Sequence, residues 1–264
     1  MYETTYHRPA SVEEAAALLA ANPDAKLLAG GQTLVPTMKQ RLAAPSDLVD
    51  LRHIAALRGI SSEGGRIIIG AATPHAEVAG DATLRAACPG LADLAAHIGD
   101  PHVRYMGTLG GSIANNDPAA DYPSAMLALG ATIHTSKRDI GADDFFTGMF
   151  ETALDEDEII IAVSFAPPER AAYAKFPNPA SLYAMTGVFV TKGSAGVRVA
   201  VTGAGSDGVF RQAEMEAALS ADFSPAALDG ITVSPEGLLE DLHASAAYRA
   251  SLIKTMARRA VAAA

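Results

Sequence analysis

Two short stretches hold the residue types best suited to grip a polar ligand. The first is Ala29-Gly30-Gly31-Gln32-Thr33-Leu34, entered from the apolar pair Leu27-Leu28. The second lies about eighty residues on and runs Thr108-Leu109-Gly110-Gly111-Ser112-Ile113-Ala114-Asn115-Asn116-Asp117-Pro118-Ala119-Ala120-Asp121. Paired glycines let backbone N–H groups turn toward one point with no Cβ in the way, and such concave arrays hold phosphate oxygens. Two arrays suit a diphosphate held from both sides, as in a nucleotide cofactor. Each also has a plainer reading. The first could be a strand-to-helix turn, and the second a structural loop, since loops favour the same residues.

Little else in the chain points to chemistry. Gly203-Ala204-Gly205-Ser206-Asp207-Gly208 fits G-x-G-x-x-G after an apolar strand, as a dinucleotide fingerprint would. Only 56 residues follow it, too few for a doubly wound domain, so it reads as a turn. His97 and His102 flank Gly99-Asp100-Pro101, where the proline breaks any shared helical face and with it a paired metal site. His53, His75 and His134 are expected at the surface or at strand ends. Asp155-Glu156-Asp157-Glu158 reads as a solvated turn, and Cys88 as a packed side chain. No nucleophile–base pairing can be deduced, so no catalytic residue and no metal ligand is assigned.

The elements that must position these stretches follow from pattern. The 264 residues are 49% apolar, enough for a substantial core. Ser11-Val12-Glu13-Glu14 has capping-box spacing before a helix over 15–21, and a short strand at 26–29 runs into the first glycine segment. A helix over 34–42 and a strand over 47–51 complete a small α/β layer. Strands over 59–61 and 66–70 flank a turn at 62–65, and a helix is predicted over 73–78. Helices are expected within 82–98 and over 122–129, with strands over 131–135 and 158–165. Pro167-Pro168 reads as a boundary. Beyond it come strands over 172–176, 184–192 and 197–202, then helices over 212–219, 226–228 and 245–261.

Composition narrows the partners. A formal net charge of −10 without a basic stripe disfavours nucleic acid. The apolar runs are too short to span a bilayer, and no signal peptide is expected at the N-terminus. One cysteine can form neither an internal disulfide nor an iron–sulfur site alone, so a cytoplasmic protein is expected.

The first glycine segment with Val35-Pro36-Thr37-Met38-Lys39-Gln40-Arg41-Leu42 and Leu48-Val49-Asp50-Leu51 resembles the FAD-binding medium subunits of molybdenum hydroxylases. Asp100-Pro101-His102-Val103-Arg104-Tyr105-Met106-Gly107 before the second segment resembles the carbon-monoxide-dehydrogenase branch, with xanthine-dehydrogenase FAD subunits in the same family. The likeness extends to Tyr248-Arg249 and Arg258-Arg259-Ala260. It implies an α+β fold: a two-part FAD-binding domain of the vanillyl-alcohol-oxidase (PCMH) type over 1–166, with subdomains of about 1–55 and 56–166, then a smaller α+β domain over 169–264.

The resemblance also implies noncovalent FAD in this chain. The molybdenum cofactor would sit on a large partner subunit and iron–sulfur clusters on a small one, in a dimer of heterotrimers. Carried over by position, Ala29, Gly30, Gly31, Gln32, Thr33 and Leu34, with Thr108, Gly110, Gly111 and Ser112, would cradle the diphosphate. Asp121 would face the nucleotide half, and Ile98 and Ile160 would touch the cofactor. Lys175 would approach the flavin, and Tyr183 would cover one isoalloxazine face. Ser112 stands where many relatives have asparagine, and 176–183 departs from the Lys-Ile-Gly-Asp-Tyr pattern of the carbon-monoxide enzymes. Two other readings stand beside this one: a nucleotide-binding assembly module without redox function, and a stand-alone FAD oxidoreductase.

Overall fold

Ser11 starts the first helix as its spacing predicts. Its hydroxyl accepts the Glu14 N–H, while the Glu14 carboxylate reaches back to the Ala10 N–H at 2.8 Å. A computed structural model describes residues 1–264. The first layer is β1 (Thr5–His7), α1 (Val12–Ala21), β2 (Lys26–Leu28), α2 (Leu34–Lys39) and β3 (Asp47–Asp50). Its strands form a parallel sheet in the order β1-β3-β2. Ala15 and Leu19 of α1 pack on Val49, with Ile54 and Leu57 closing the core. The helix predicted to reach residue 42 ends at Lys39, and Arg41 turns to φ +61°.

The middle part opens on the hairpin β4 (Ile60–Glu63) and β5 (Arg66–Gly70). Its turn is tighter than predicted. Ser62 and Glu63 still pair with Ile67 and Arg66, leaving Gly64 and Gly65 at φ +57° and +76° as a two-residue hairpin loop. Six helices follow: α3 (His75–Gly80), α4 (Ala82–Ala87), α5 (Pro89–Ala96), α6 (Pro101–Met106), α7 (Leu109–Asn115) and α8 (Tyr122–Leu129). Then come β6 (Thr132–Thr135), β7 (Asp139–Gly141), α9 (Ala142–Phe145), β8 (Phe146–Gly148), β9 (Glu151–Thr152) and β10 (Ile160–Phe165). The antiparallel sheet β4-β5-β10-β6-β7 buries Ile67, Ile69, Ile133 and Val163 against Leu91, Leu94 and Tyr122 of the helices. Glu158, expected in solvent, is instead buried. It bonds Thr135 Oγ1 at 2.6 Å and the Arg138 guanidinium at 3.2 Å, which fixes the chain before β10.

The last part is β11 (Arg170–Pro177), β12 (Ala184–Gly193), β13 (Gly196–Thr202), β14 (Phe210–Arg211), α10 (Ala213–Ala221) and α11 (Ala246–Ala263). Its antiparallel sheet is covered on both sides. Strand alternation sends Val188, Val190, Val199 and Val201 toward Ile253 and Met256 of α11, while Phe189, Ala200 and Tyr173 join the middle core. The G-x-G-x-x-G stretch is the turn from β13 to β14, and no helix starts until Ala213. Element order and layering are those of the expected α+β class. No helix is long and apolar enough to cross a membrane.

Candidate FAD site

A cavity of about 830 Å³ is lined from all three parts of the chain. That volume lies within the roughly 300–1,000 Å³ of small-molecule and cofactor sites. Ala29 to Leu34, Ile98, Thr108, Gly110, Gly111, Ser112, Asp121, Ile160 and Tyr183 all line it. Lys175 does not. Residues beyond the sequence-based set also line it, among them Ala71, Ala72, His75, Gly107, Asp117 and Leu154.

The first glycine segment leaves β2 and enters α2. Gly31 turns with φ +70°, a conformation that suits glycine. The backbone N–H groups of Gly30, Gly31, Gln32, Thr33 and Leu34 donate to nothing in the protein. A run of unengaged amides beside a cavity is a ready anion cradle.

The second segment differs from expectation. Its glycine half is no loop but the helix α7, with Thr108 as its N-cap, and only 116–121 form a loop, leading into α8. Its first amides are engaged: Leu109 N–H donates to Thr73 O at 3.2 Å and Gly110 N–H to Ala71 O at 2.8 Å. Gly111 N–H donates to Thr108 Oγ1 at 3.1 Å, and Ser112 N–H to Thr108 O at 3.0 Å. Gly110 and Gly111 therefore do not turn free amides toward a ligand. Their small size is needed for packing instead. A Cβ on Gly110 would come within 2.7 Å of Ala71 O, and one on Gly111 within 2.9 Å of Thr108 Oγ1, with Ala29 Cβ in ordinary contact at 3.4 Å. Gly30 is closed in likewise, since a Cβ there would overlap Met106 O and the Gly107 Cα. The glycines thus bring the two segments into one wall.

Asp121 is buried at the far side of that wall with both oxygens partnered. Tyr173 Oη donates to Oδ1 at 2.5 Å, and Lys175 Nζ to Oδ2 at 3.0 Å. Lys175 also donates to His97 O at 3.1 Å, so it meets the site through Asp121. Tyr173 passes over Gly187, where a Cβ would collide with its hydroxyl. Burial pushes the Asp121 carboxyl up, and the Lys175 charge and the Tyr173 hydrogen bond oppose that rise. Tyr183 sits half-exposed at the mouth. Asn178 shapes its loop by accepting the Ala180 and Ser181 N–H groups on Oδ1. Burial, then the charges of Asp117 and Asp121, raise the Tyr183 hydroxyl pKa.

His75 corrects the sequence reading most. Expected at the surface or at a strand end, it is 5% exposed and lines the cavity. Thr73-Pro74-His75 pairs with Gly107-Thr108-Leu109: Pro74 and Thr108 form a bridge, and His75 N–H donates to Gly107 O at 2.9 Å. Burial, then the Arg104 charge, lower the imidazole pKa to about 4. A six-residue helix carries too little periodicity to signal this.

These residues fit a dinucleotide flavin: an open-amide cradle for a diphosphate, apolar walls from Leu27, Leu28, Ile98 and Ile160, and an aromatic ring at the mouth. Residues 2–168 match the family of FAD-binding domains in molybdopterin dehydrogenases, and the chain belongs to that family, with FAD as its cofactor. More particularly, it is 34% identical to the carbon monoxide dehydrogenase medium chain of Hydrogenophaga pseudoflava, over 97% of this chain and 95% of that one. It is 33% identical to the nicotine 6-hydroxylase medium subunit of Paenarthrobacter nicotinovorans, over 97% and 95% of the two chains. A chain of quinoline 2-oxidoreductase from Pseudomonas putida 86 superposes with a TM-score of 0.88 at 31% identity, covering 99% of this chain and 96% of that one.

Proposed function

We propose that this chain is the electron-transfer flavoprotein subunit of a cytoplasmic molybdenum hydroxylase. Electrons reach its FAD from iron–sulfur clusters on a small partner subunit and leave to an external acceptor. Substrate is oxidised at a molybdenum cofactor on a large subunit, and the whole is a dimer of heterotrimers. The observation that carries this reading is the near full-length likeness to medium chains, joined to a cavity whose one unengaged amide run can hold a diphosphate.

Bound FAD supplies two-electron and one-electron transfer; the protein supplies position and electrostatics. Gly30 to Leu34 hold the diphosphate through backbone N–H groups, while Thr108, Gly110, Gly111 and Ser112 shape the wall beside them. Asp121 faces the nucleotide half, kept in place by Lys175 and Tyr173. Ile98 and Ile160 exclude water, and Tyr183 covers one flavin face. Residues 1–166 form the FAD-binding unit, and 169–264 a C-terminal domain closing its mouth through 180–183. The single cysteine, Cys88, is fully buried outside the cavity and its thiol is pushed up to about 12, which supports noncovalent flavin and clusters held elsewhere.

Acid precipitation of the holoprotein is expected to release FAD into the supernatant; flavin in the pellet overturns noncovalent binding. Anaerobic addition of carbon monoxide, an aldehyde or an N-heterocycle is expected to leave the isolated flavin oxidised. With both partner subunits present, the true substrate bleaches it. Bleaching in the isolated chain would favour a stand-alone oxidoreductase.

A further inference from the structure

His75 is a buried imidazole in the cavity wall with no partner for its ring. Nδ1 is enclosed and unbonded, and no hydrogen bond engages Nε2. The ring tilts against Tyr122 with centroids 5.2 Å apart, and the Tyr122 hydroxyl is also enclosed without a partner. Nδ1 and the Tyr122 hydroxyl are sealed off from any ligand, so the ring nitrogen left to meet one is Nε2, which has no partner in the protein and belongs to a side chain lining the cavity.

The surroundings say which part of the ligand. Gly107 touches His75 on one side and Gly30 on the other. A Cβ on Gly107 would stand 2.6 Å from His75 Nε2, and a Cβ on Gly30 would stand 2.5 Å from the Gly107 Cα. One glycine therefore separates the imidazole from the first residue of the open amide run. In the adjoining α7 segment the first amides are engaged, so side chains must supply any donor there.

We infer that His75 is a diphosphate-contacting residue: its imidazole N–H donates a hydrogen bond to a phosphate oxygen of bound FAD, completing the cradle begun by Gly30 to Leu34. This rests on the FAD-site reading above and adds to it a side chain outside the sequence-based set. Burial keeps the ring uncharged before the ligand enters, so the empty cradle does not hold a naked cation. Gly107 is small because the ring needs that space.

The test measures binding of FAD and of ADP, which carries a diphosphate without the flavin, to the full chain and to His75→Leu and His75→Gln. His75→Leu is expected to weaken both ligands about tenfold, the size of one hydrogen bond to a charged group. His75→Gln, which keeps an N–H donor, is expected to recover most of the loss. Equal affinities in all three proteins overturn the inference while leaving the flavoprotein reading intact. Failure of the wild-type chain to bind FAD overturns that reading and this one with it. Should the leucine variant not fold, imidazole ¹⁵N resonances of the wild type decide. One histidine whose ring nitrogens shift on adding ADP, and which His75→Gln removes, supports the contact; none shifting at saturation refutes it.

Discussion

Gly30 to Leu34 and Thr108 to Ser112 meet in one cavity wall, with glycine pairs of the same appearance, yet their backbones have opposite freedoms. In the first segment five successive N–H groups are without partners. In the second, four successive N–H groups are taken by Thr73, Ala71 and Thr108. The first segment binds; the second builds the surface against which the first is held. A glycine pair thus carries no single meaning: one depends on a left-handed turn at Gly31, the other on close contact with Ala71 at Gly110.

The largest expected effect comes from forcing the two segments apart. Gly30→Val places branched carbons against Met106 and Gly107 and is expected to destabilise the chain by about 3 kcal/mol or more. Urea unfolding of the flavin-free protein checks this, and an unchanged midpoint would mean the wall is looser than described.

Acid should loosen the second side before the first layer. The His75 pKa is lowered from 6.5 to about 4 in the fold, so the unfolded chain binds the extra proton first. Its contribution is complete above pH 6.5 and is lost as pH falls toward 4, about 3 kcal/mol in all. Asp50 of the first layer behaves differently. Burial opposes its ionisation, but Arg52 and Tyr6 outweigh that and hold it at about 2. Its contribution persists above pH 3.8 and fades only as pH falls toward 2. Unfolding followed between pH 7 and 4.5 is expected to show a loss that His75→Gln removes.

Hydrogen exchange compares the segments directly. Without FAD, Gly30 to Leu34 amides are expected to exchange freely while Gly110 to Ser112 are protected. Adding FAD should slow the first set at least about tenfold, equivalent to about 1.4 kcal/mol, and change the second little. The reverse pattern would reassign the cradle.

The smallest effect is expected at the cap. Thr108→Ala removes the acceptor for Gly111 N–H and should cost about 1 kcal/mol of stability. The amide then freed should leave FAD affinity within about threefold, because affinity is set by the first segment. A tenfold change in affinity would mean that α7 grips the ligand after all.

Much of this was legible in order along the chain. The capping box at Ser11, the Gly64-Gly65 hairpin, the apolar strands of the last sheet and the two glycine segments are local signals, readable because propensity, caps and turns act over a few residues. So was the dismissal of 203–208, since no helix follows its last glycine. Also by sequence alone, the motifs in their order resemble one family, and nearly every residue carried over from it lines a single cavity.

What only the tertiary structure decided is which groups are left over. Whether Gly110 has a free N–H depends on Ala71, and whether Lys175 reaches the cavity depends on Asp121 standing before it. The burial of His75 depends on Gly107 closing over it, and that of Glu158 on Arg138 and Thr135. Each of these contacts joins residues some 20 to 55 positions apart. Hydrogen-bond capacity is conserved across such pairings, so a donor becomes available to a ligand only when the fold has failed to use it. Sequence sets the donors present; the packing of distant segments selects the few that remain open.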